Sequence, residues 1–384
     1  MSFLPSFAKI RRRKRPKKLA HLAIFLGHHK TGSTALQRFL FQNSQVLLKR
    51  GVLSPFVDRD GCSHLDGSRS VQEPRIPANL TIREPHNALA FGMLAAHRAR
   101  PIPDFHPPIP SVADMAETIR AQIAHYRPET LILASEVFAN FAAESPALID
   151  TLAGMFPAQK VTLYAVFRPV DDYLVAWHGQ RLRFGHKVPR LSAGGAEGYF
   201  DTIHFDYRRV LTHWSNGFPH AQWIIRPYGD VLAKGGLVAD FFDAIEHGPP
   251  MSAAITANQS LHPACQELHR RGVEALNGSQ LQSLRHRLAE ISASDRLPPS
   301  SDVEMFGSIL RQRMRAAFCP VDQCLGQRVG RSGFFQDHAL DQTRKLSEGE
   351  ANRMAFDALS EDLSWAKGMG LRRFLMGLHD QFDP

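Results

Sequence analysis

One short run carries residue types and a spacing from which chemistry could be built: Gly27-His28-His29-Lys30-Thr31-Gly32-Ser33-Thr34. Two glycines five apart bracket a turn rich in hydroxyls that holds a single lysine. In such a turn the backbone N–H groups, and the N-terminus of any helix that follows, converge on one spot and suit an anion such as phosphate. The glycine spacing is that of an ATP-binding Walker loop. The residue after the second glycine, however, is Ser33, where that loop carries its lysine. The lysine sits two residues before Gly32, as Lys30. The positive charge is thereby moved off the terminal phosphate of a nucleoside triphosphate and onto the near side of the loop. The plain alternative is an ordinary strand–turn–helix with a solvated lysine.

For the loop to act in this way, a strand must deliver it and a helix must leave it. Residues 22–26 form a continuous apolar run that reads as a strand. Ala35, Leu36, Phe39 and Leu40 recur at helical spacing and predict a helix ending near Gly51. A second unit follows the same plan. The β-branched run 161–167 reads as a buried strand ending at Arg168, and a helix over 170–183 carries Asp171 and Asp172 in its first turn, where acids are favoured. Arg168 thus stands at the C-terminal end of a core strand, the end at which open α/β sheets bind ligands. Its ordinary alternative is a surface salt bridge.

Further strands are expected over 51–55, 131–134 and 222–228, with helices over 112–124 and 237–245. Residues 56–110 read mostly as loop, with a short helix near 86–98. Strands alternating with helices predict an α/β fold with a mainly parallel sheet flanked by helices. From Cys265 onward helical patterns dominate, interrupted by loops near 295–303 and 319–334. The expected organisation is a basic, disordered arm over 1–18, an α/β core over 19–262, and a mainly helical C-terminal part over 263–384 packed on that core.

The net charge of +9 resembles a nucleic-acid signature until it is located. Residues 1–18 hold eight Lys and Arg and no acid, so the remainder carries only +1. This excludes specific nucleic-acid binding by the body. It leaves the arm as a solvated tail or a weak contact with an acidic membrane surface, at roughly 1 kcal/mol per basic residue. No apolar run approaches the ~18 residues that span a bilayer. Four scattered cysteines make neither a disulfide framework nor a zinc site, so a reducing, cytoplasmic setting is expected, peripheral to a membrane if the arm engages one.

The first run resembles the 5′-phosphosulfate-binding loop of PAPS-dependent sulfotransferases, in which Lys-[Ser/Thr]-Gly-[Ser/Thr]-Thr follows the first strand. The segment from Phe167 to His178 is similar to that family's 3′-phosphate element, a strand ending in arginine with a serine eight residues on. Here the arginine is Arg168, but the serine position holds Ala176, which cannot donate to phosphate. His86-Asn-Ala-Leu-Ala, Ser135-Glu136, Tyr207…Trp214…Phe218, Arg226-Pro-Tyr228, Asp240-Phe-Phe242 and Asn258-Gln-Ser-Leu261 resemble, in order, elements of bacterial members. Arg331-Ser-Gly-Phe-Phe335 weakly resembles a basic-glycine loop of some sulfotransferases.

The resemblance implies a P-loop NTPase-like sulfotransferase fold and PAPS as sulfonate donor, with a hydroxylated acceptor that is a small molecule or glycan. Lys30 would act on the bridging oxygen. Thr31, Gly32, Ser33 and Thr34 would hold the 5′-phosphate, and Arg168 the 3′-phosphate. Because the Walker Lys-[Ser/Thr] pair is absent, the motif requires no metal. Glu136 and His86 are the two bases the resemblance offers. Two other readings compete: a non-catalytic or degenerate nucleotide-binding protein of the same fold, favoured by Ala176, and a P-loop kinase or NTPase, disfavoured by Ser33. Loops 56–110 and 184–205 are the expected walls of the acceptor pocket.

Overall fold

The computed structural model describes residues 19–67, 79–99, 102, 108–247, 260–335, 340 and 343–382. The basic arm, part of the 56–110 loop, and Asn258 and Gln259 lie outside them. Five parallel strands form the central sheet: β1 (Leu19–Phe25), β2 (Val52–Leu53), β3 (Thr130–Ala134), β4 (Ala158–Phe167) and β5 (Gln222–Pro227), in the order β2-β3-β1-β4-β5. Helices cover both faces, which is why the strands read as unbroken apolar runs rather than as alternating ones.

The period-two geometry of a strand is visible in how the side chains divide. Leu22, Ile24, Leu131, Leu133, Leu163 and Phe167 face one core, and Ala23, Phe25, Ile132, Tyr164 and Val166 face the other. The helix leaving β1, Ser33–Gln42, packs on the second face, where Phe39 meets Phe242 of helix Leu237–Ala244 at 5.4 Å between ring centroids. The helix leaving β4, Val170–Arg183, sends Tyr173 and Leu174 into the first face. The chain therefore leaves adjacent central strands β1 and β4 toward opposite sides. The C-terminal ends of these strands, where Lys30 and Arg168 lie, are thus the switch point at which open α/β sheets bind ligands.

Most expected elements are present, with instructive differences. The first helix stops at Asn43 instead of running to Gly51. Asn43 Nδ2 donates to the Phe39 carbonyl at 2.9 Å, ending the helix, and a separate turn of helix, Ser44–Lys49, follows. The loop expected at 319–334 is helix as far as residue 328. Helix Ser308–Arg328 passes through Pro320 because Phe318, Val321 and Leu325 are all buried. Three such burials contribute about 1.5–3 kcal/mol each, more than the ~3 kcal/mol a proline costs inside a helix. Helix Pro146–Met155 and the turn Glu136–Asn140 were not anticipated.

The C-terminal helices share the first-face core with the sheet, Phe318 and Phe334 packing among the same residues as Phe167 and Tyr207. They are also joined to it by a buried ionic cluster. Arg311 meets Asp171 at 3.1 Å and Glu304 at 2.8 Å, and Arg344 meets Asp171 and Asp172 at 2.8 Å each. Arg311 and Asp171 are 2% and 0% exposed, so they are compensated by partners within the fold rather than by water. Among the described residues no helix is long and apolar enough to cross a membrane.

Candidate anion and acid–base site

The loop after β1 is held like a bow between the two central strands. His28 N donates to the Val166 carbonyl at 2.8 Å and Val166 N to the Gly27 carbonyl at 2.7 Å, so pairing with β4 continues past the strand proper. Gly27 (φ +93°), Lys30 (φ +61°) and Gly32 (φ +95°) all take left-handed backbone conformations, and Lys30 does so as a non-glycine residue. Thr31 Oγ1 donates to the His28 carbonyl at 2.6 Å and closes the loop on itself. Gly32, Ser33 and Thr34 stand at the start of helix Ser33–Gln42, where the first backbone N–H groups have no intrahelical acceptor. The loop therefore offers a row of donors above the N-terminus of helix Ser33–Gln42.

The two sequence motifs meet directly. Arg168 Nη1 donates to the Lys30 carbonyl at 3.2 Å, while the guanidinium lies over the Tyr228 ring at 4.9 Å. The Arg168 carbonyl accepts from Tyr207 Oη at 3.0 Å, and Arg168 Nε is buried without a partner among the described residues. Burial, together with the charges of Arg183 and Arg168, brings the Lys30 ammonium down to about 8. Three cations thus crowd one mouth, with Glu136 as the opposing charge that acts on Lys30. Such a concentration of positive charge calls for an anion.

Glu136 follows β3 and lies against the loop. A Cβ built on Gly27 would come within 3.0 Å of Glu136 Cα and Cβ, so glycine is needed there for close approach as well as for its φ. Gln37 Nε2 donates to Glu136 Oε2 at 3.2 Å, and the Ser33 hydroxyl also favours the ionised form. Burial, and secondly the charge of Glu84, outweigh these bonds and push the Glu136 carboxyl up to about 7.

His86 is placed differently. It is buried, its Nδ1 accepts the Ala134 backbone N–H at 3.0 Å, and burial lowers it to about 4. A ring whose accepting nitrogen is already occupied at the end of β3 is not placed to take a proton from an acceptor, so the geometry favours Glu136 of the two. The neighbouring residue, Asn87, is the one that reaches the Glu136 network. Ala176 is 9% exposed and has no donor to offer. Two residues on, His178 Nδ1 engages Tyr199 Oη at 3.3 Å. Arg331 pairs with Asp230 at 3.0 Å, and Phe334 and Phe335 are core residues, so that segment is anchored beside β5.

One feature was not anticipated from sequence. His29, Trp177 and His204 form an aromatic wall beside Lys30. Trp177 stacks on His204 at 4.3 Å and meets the His29 ring tilted by 38° at 4.7 Å, while His29 Nε2 bonds Asn140 Oδ1 at 3.1 Å and His204 Nδ1 meets Tyr173 Oη at 2.8 Å. Burial lowers both imidazoles, which are neutral at pH 7. The Trp177 and His204 positions are separated by a loop in the chain, so only the fold unites them. Among the described residues no group of His, Cys, Asp and Glu could hold a metal. No family model, curated protein or solved structure matches this chain.

Proposed function

We propose that the protein is a PAPS-dependent sulfotransferase with a P-loop NTPase-like fold, moving a sulfonate to a hydroxyl acceptor, with glycans a fitting class. The observation that carries this reading is the bond from Arg168 to the Lys30 carbonyl, which ties a phosphate-type loop to a second cation at the mouth of adjacent central strands. Two phosphates on one nucleotide need two linked cationic sites, and a triphosphate loop needs lysine where this chain has Ser33.

PAPS supplies an activated sulfonate on a good leaving group. The backbone N–H groups of Thr31, Gly32, Ser33 and Thr34, with the Thr34 hydroxyl, would hold the 5′-phosphate, and Arg168 the 3′-phosphate, since the Thr31 and Ser33 hydroxyls are already engaged by the His28 carbonyl and Glu136. Lys30 would stabilise charge on the departing oxygen, and Glu136 would take the acceptor proton. The wall of Trp177, His204 and His29 offers the acceptor an apolar, uncharged surface with polar edges, which suits a hydroxylated ring. No step calls for a metal. A cytoplasmic location, with the basic arm free to touch an acidic membrane, belongs to the same proposal.

Ala176 favours one competing reading, a nucleotide-binding protein that has lost the chemistry. A thermal-shift comparison of adenosine 3′,5′-bisphosphate, PAPS and Mg-ATP separates the readings. Stabilisation by the bisphosphate and PAPS, with sulfonate transfer to a glycan panel, is expected. Stabilisation by Mg-ATP alone would overturn the proposal in favour of a kinase or NTPase. Bisphosphate binding without any transfer would favour the non-catalytic reading.

A further inference from the structure

Two side-chain amides bridge the Glu136 carboxylate to a second acid, Glu84. Glu84 Oε2 accepts from Asn87 Nδ2 at 2.8 Å, and Oε1 accepts from Arg83 Nε at 2.9 Å. An ionised carboxylate only accepts, so Asn87 must turn its nitrogen toward Glu84 and its oxygen away. That oxygen receives Ser135 Oγ at 2.5 Å and Gln37 Nε2 at 2.8 Å. Gln37 is oriented in its turn. Its nitrogen also faces the Ala134 carbonyl and Glu136 Oε2, each at 3.2 Å, while its own oxygen is buried with no partner among the described residues. An amide that leaves its oxygen unpaired to serve three acceptors is held that way by its surroundings.

We infer that Glu84 is a positioning residue, which orients the two amides behind Glu136 and sets a second negative charge against it. Its importance for turnover rests on the sulfotransferase reading; its action on Glu136 does not. The groups bearing on Glu136 come from three sides. Lys30 on the loop favours its ionised form, as do Ser33 and Gln37 on helix Ser33–Gln42. Glu84 opposes it from the segment before helix Pro85–Arg98, with Arg83 partly neutralising Glu84. His86 and His29 nearby are held neutral by burial.

The test is a carboxyl ¹³C NMR titration of the full chain, with the Glu136 signal identified by its loss in Glu136→Gln. Glu84→Gln keeps an acceptor for Asn87 while removing the charge, and should lower the Glu136 midpoint by roughly half a unit or more. Arg83→Ala changes a side chain that is 38% exposed, leaves Glu84 unneutralised, and should raise the midpoint. Opposite shifts in the two variants are the expected result. A Glu136 midpoint unmoved in both, or an ordinary glutamate value in the unaltered protein, would overturn the inference. The titration uses neither nucleotide nor acceptor, so a failure to bind adenosine 3′,5′-bisphosphate would count against the functional reading alone.

Discussion

Arg168 donates to the backbone carbonyl of Lys30 across 138 positions of chain, so the cation at the end of β4 shapes the loop at the end of β1. Truncating it removes a loop support and, on the proposed reading, a ligand contact with it. Arg168→Ala should weaken binding of adenosine 3′,5′-bisphosphate by roughly 10- to 150-fold, the equivalent of one charged hydrogen bond at about 1.5–3 kcal/mol. Arg168→Lys should recover only part of this, since an ammonium cannot present the same fork of donors. Titration calorimetry reads both, and unchanged affinity in the alanine variant would remove Arg168 from the site.

Lys30 is expected to act mainly on the reaction rather than on binding. Lys30→Ala should lower kcat by about 10²–10³, as loss of a single transition-state donor does, with a smaller change in bisphosphate affinity. Radiolabelled PAPS measures the first and calorimetry the second. Undiminished transfer would sink the assignment of Lys30.

The proposed roles put opposite requirements on two shifted groups and so predict a pH window. As base, Glu136 would have to be ionised, and its carboxyl is raised to about 7; as donor, Lys30 would have to be protonated, and it is lowered to about 8. The profile of kcat/KM should therefore be a narrow bell with limbs near those values. A bound anionic donor favours protonated Lys30, so the alkaline limb of kcat should lie higher. Stability follows the carboxyl in the opposite sense to activity on the acid limb. With its folded value raised, Glu136 contributes stability below the unfolded glutamate range that is lost as pH rises through about 7. Glu136→Gln should thus gain in Tm relative to the unaltered protein more at pH 8 than at pH 5.

Gly27→Ala tests the close approach. A left-handed alanine costs about 1–2 kcal/mol, and its methyl would stand 3.0 Å from Glu136 Cβ. Thermal unfolding should show at least that loss, accompanied by reduced turnover because Glu136 must move.

The C-terminal clamp should be costly to break. Arg311→Ala leaves Asp171 and Glu304 buried with one partner fewer, and such a loss typically costs about 3–5 kcal/mol. Urea unfolding reads it directly.

How much of this was legible beforehand depended on whether a residue's role was local. The apolar runs of β1 and β4 and the helix over Val170–Arg183 are local patterns, as are Lys30 and Arg168 at strand ends, and each is where the spacing predicted. Features made by contacts distant in sequence were not readable. Trp177 and His204 look like unrelated aromatics until the 184–205 loop folds back, and Glu84 looks like a surface acid until Asn87 and Gln37 link it to Glu136. The expected loop at 319–334 is helix as far as Arg328 because core burial around Pro320 overrides a local helix breaker. The choice between His86 and Glu136 likewise needed the third dimension, since only the paired Ala134 N–H shows that the imidazole is already engaged.

Asp171 gives the order of synthesis a physical meaning. The five strands are complete once residue 227 has emerged, yet the two arginines that neutralise this buried carboxylate, Arg311 and Arg344, come much later. Until they arrive this carboxylate must stay open to water, and Phe167 lacks its contact with Phe334. The packing behind the C-terminal ends of β1 and β4 is therefore completed by residues from the last third of the chain, and a chain cut short before Arg311 should lack it.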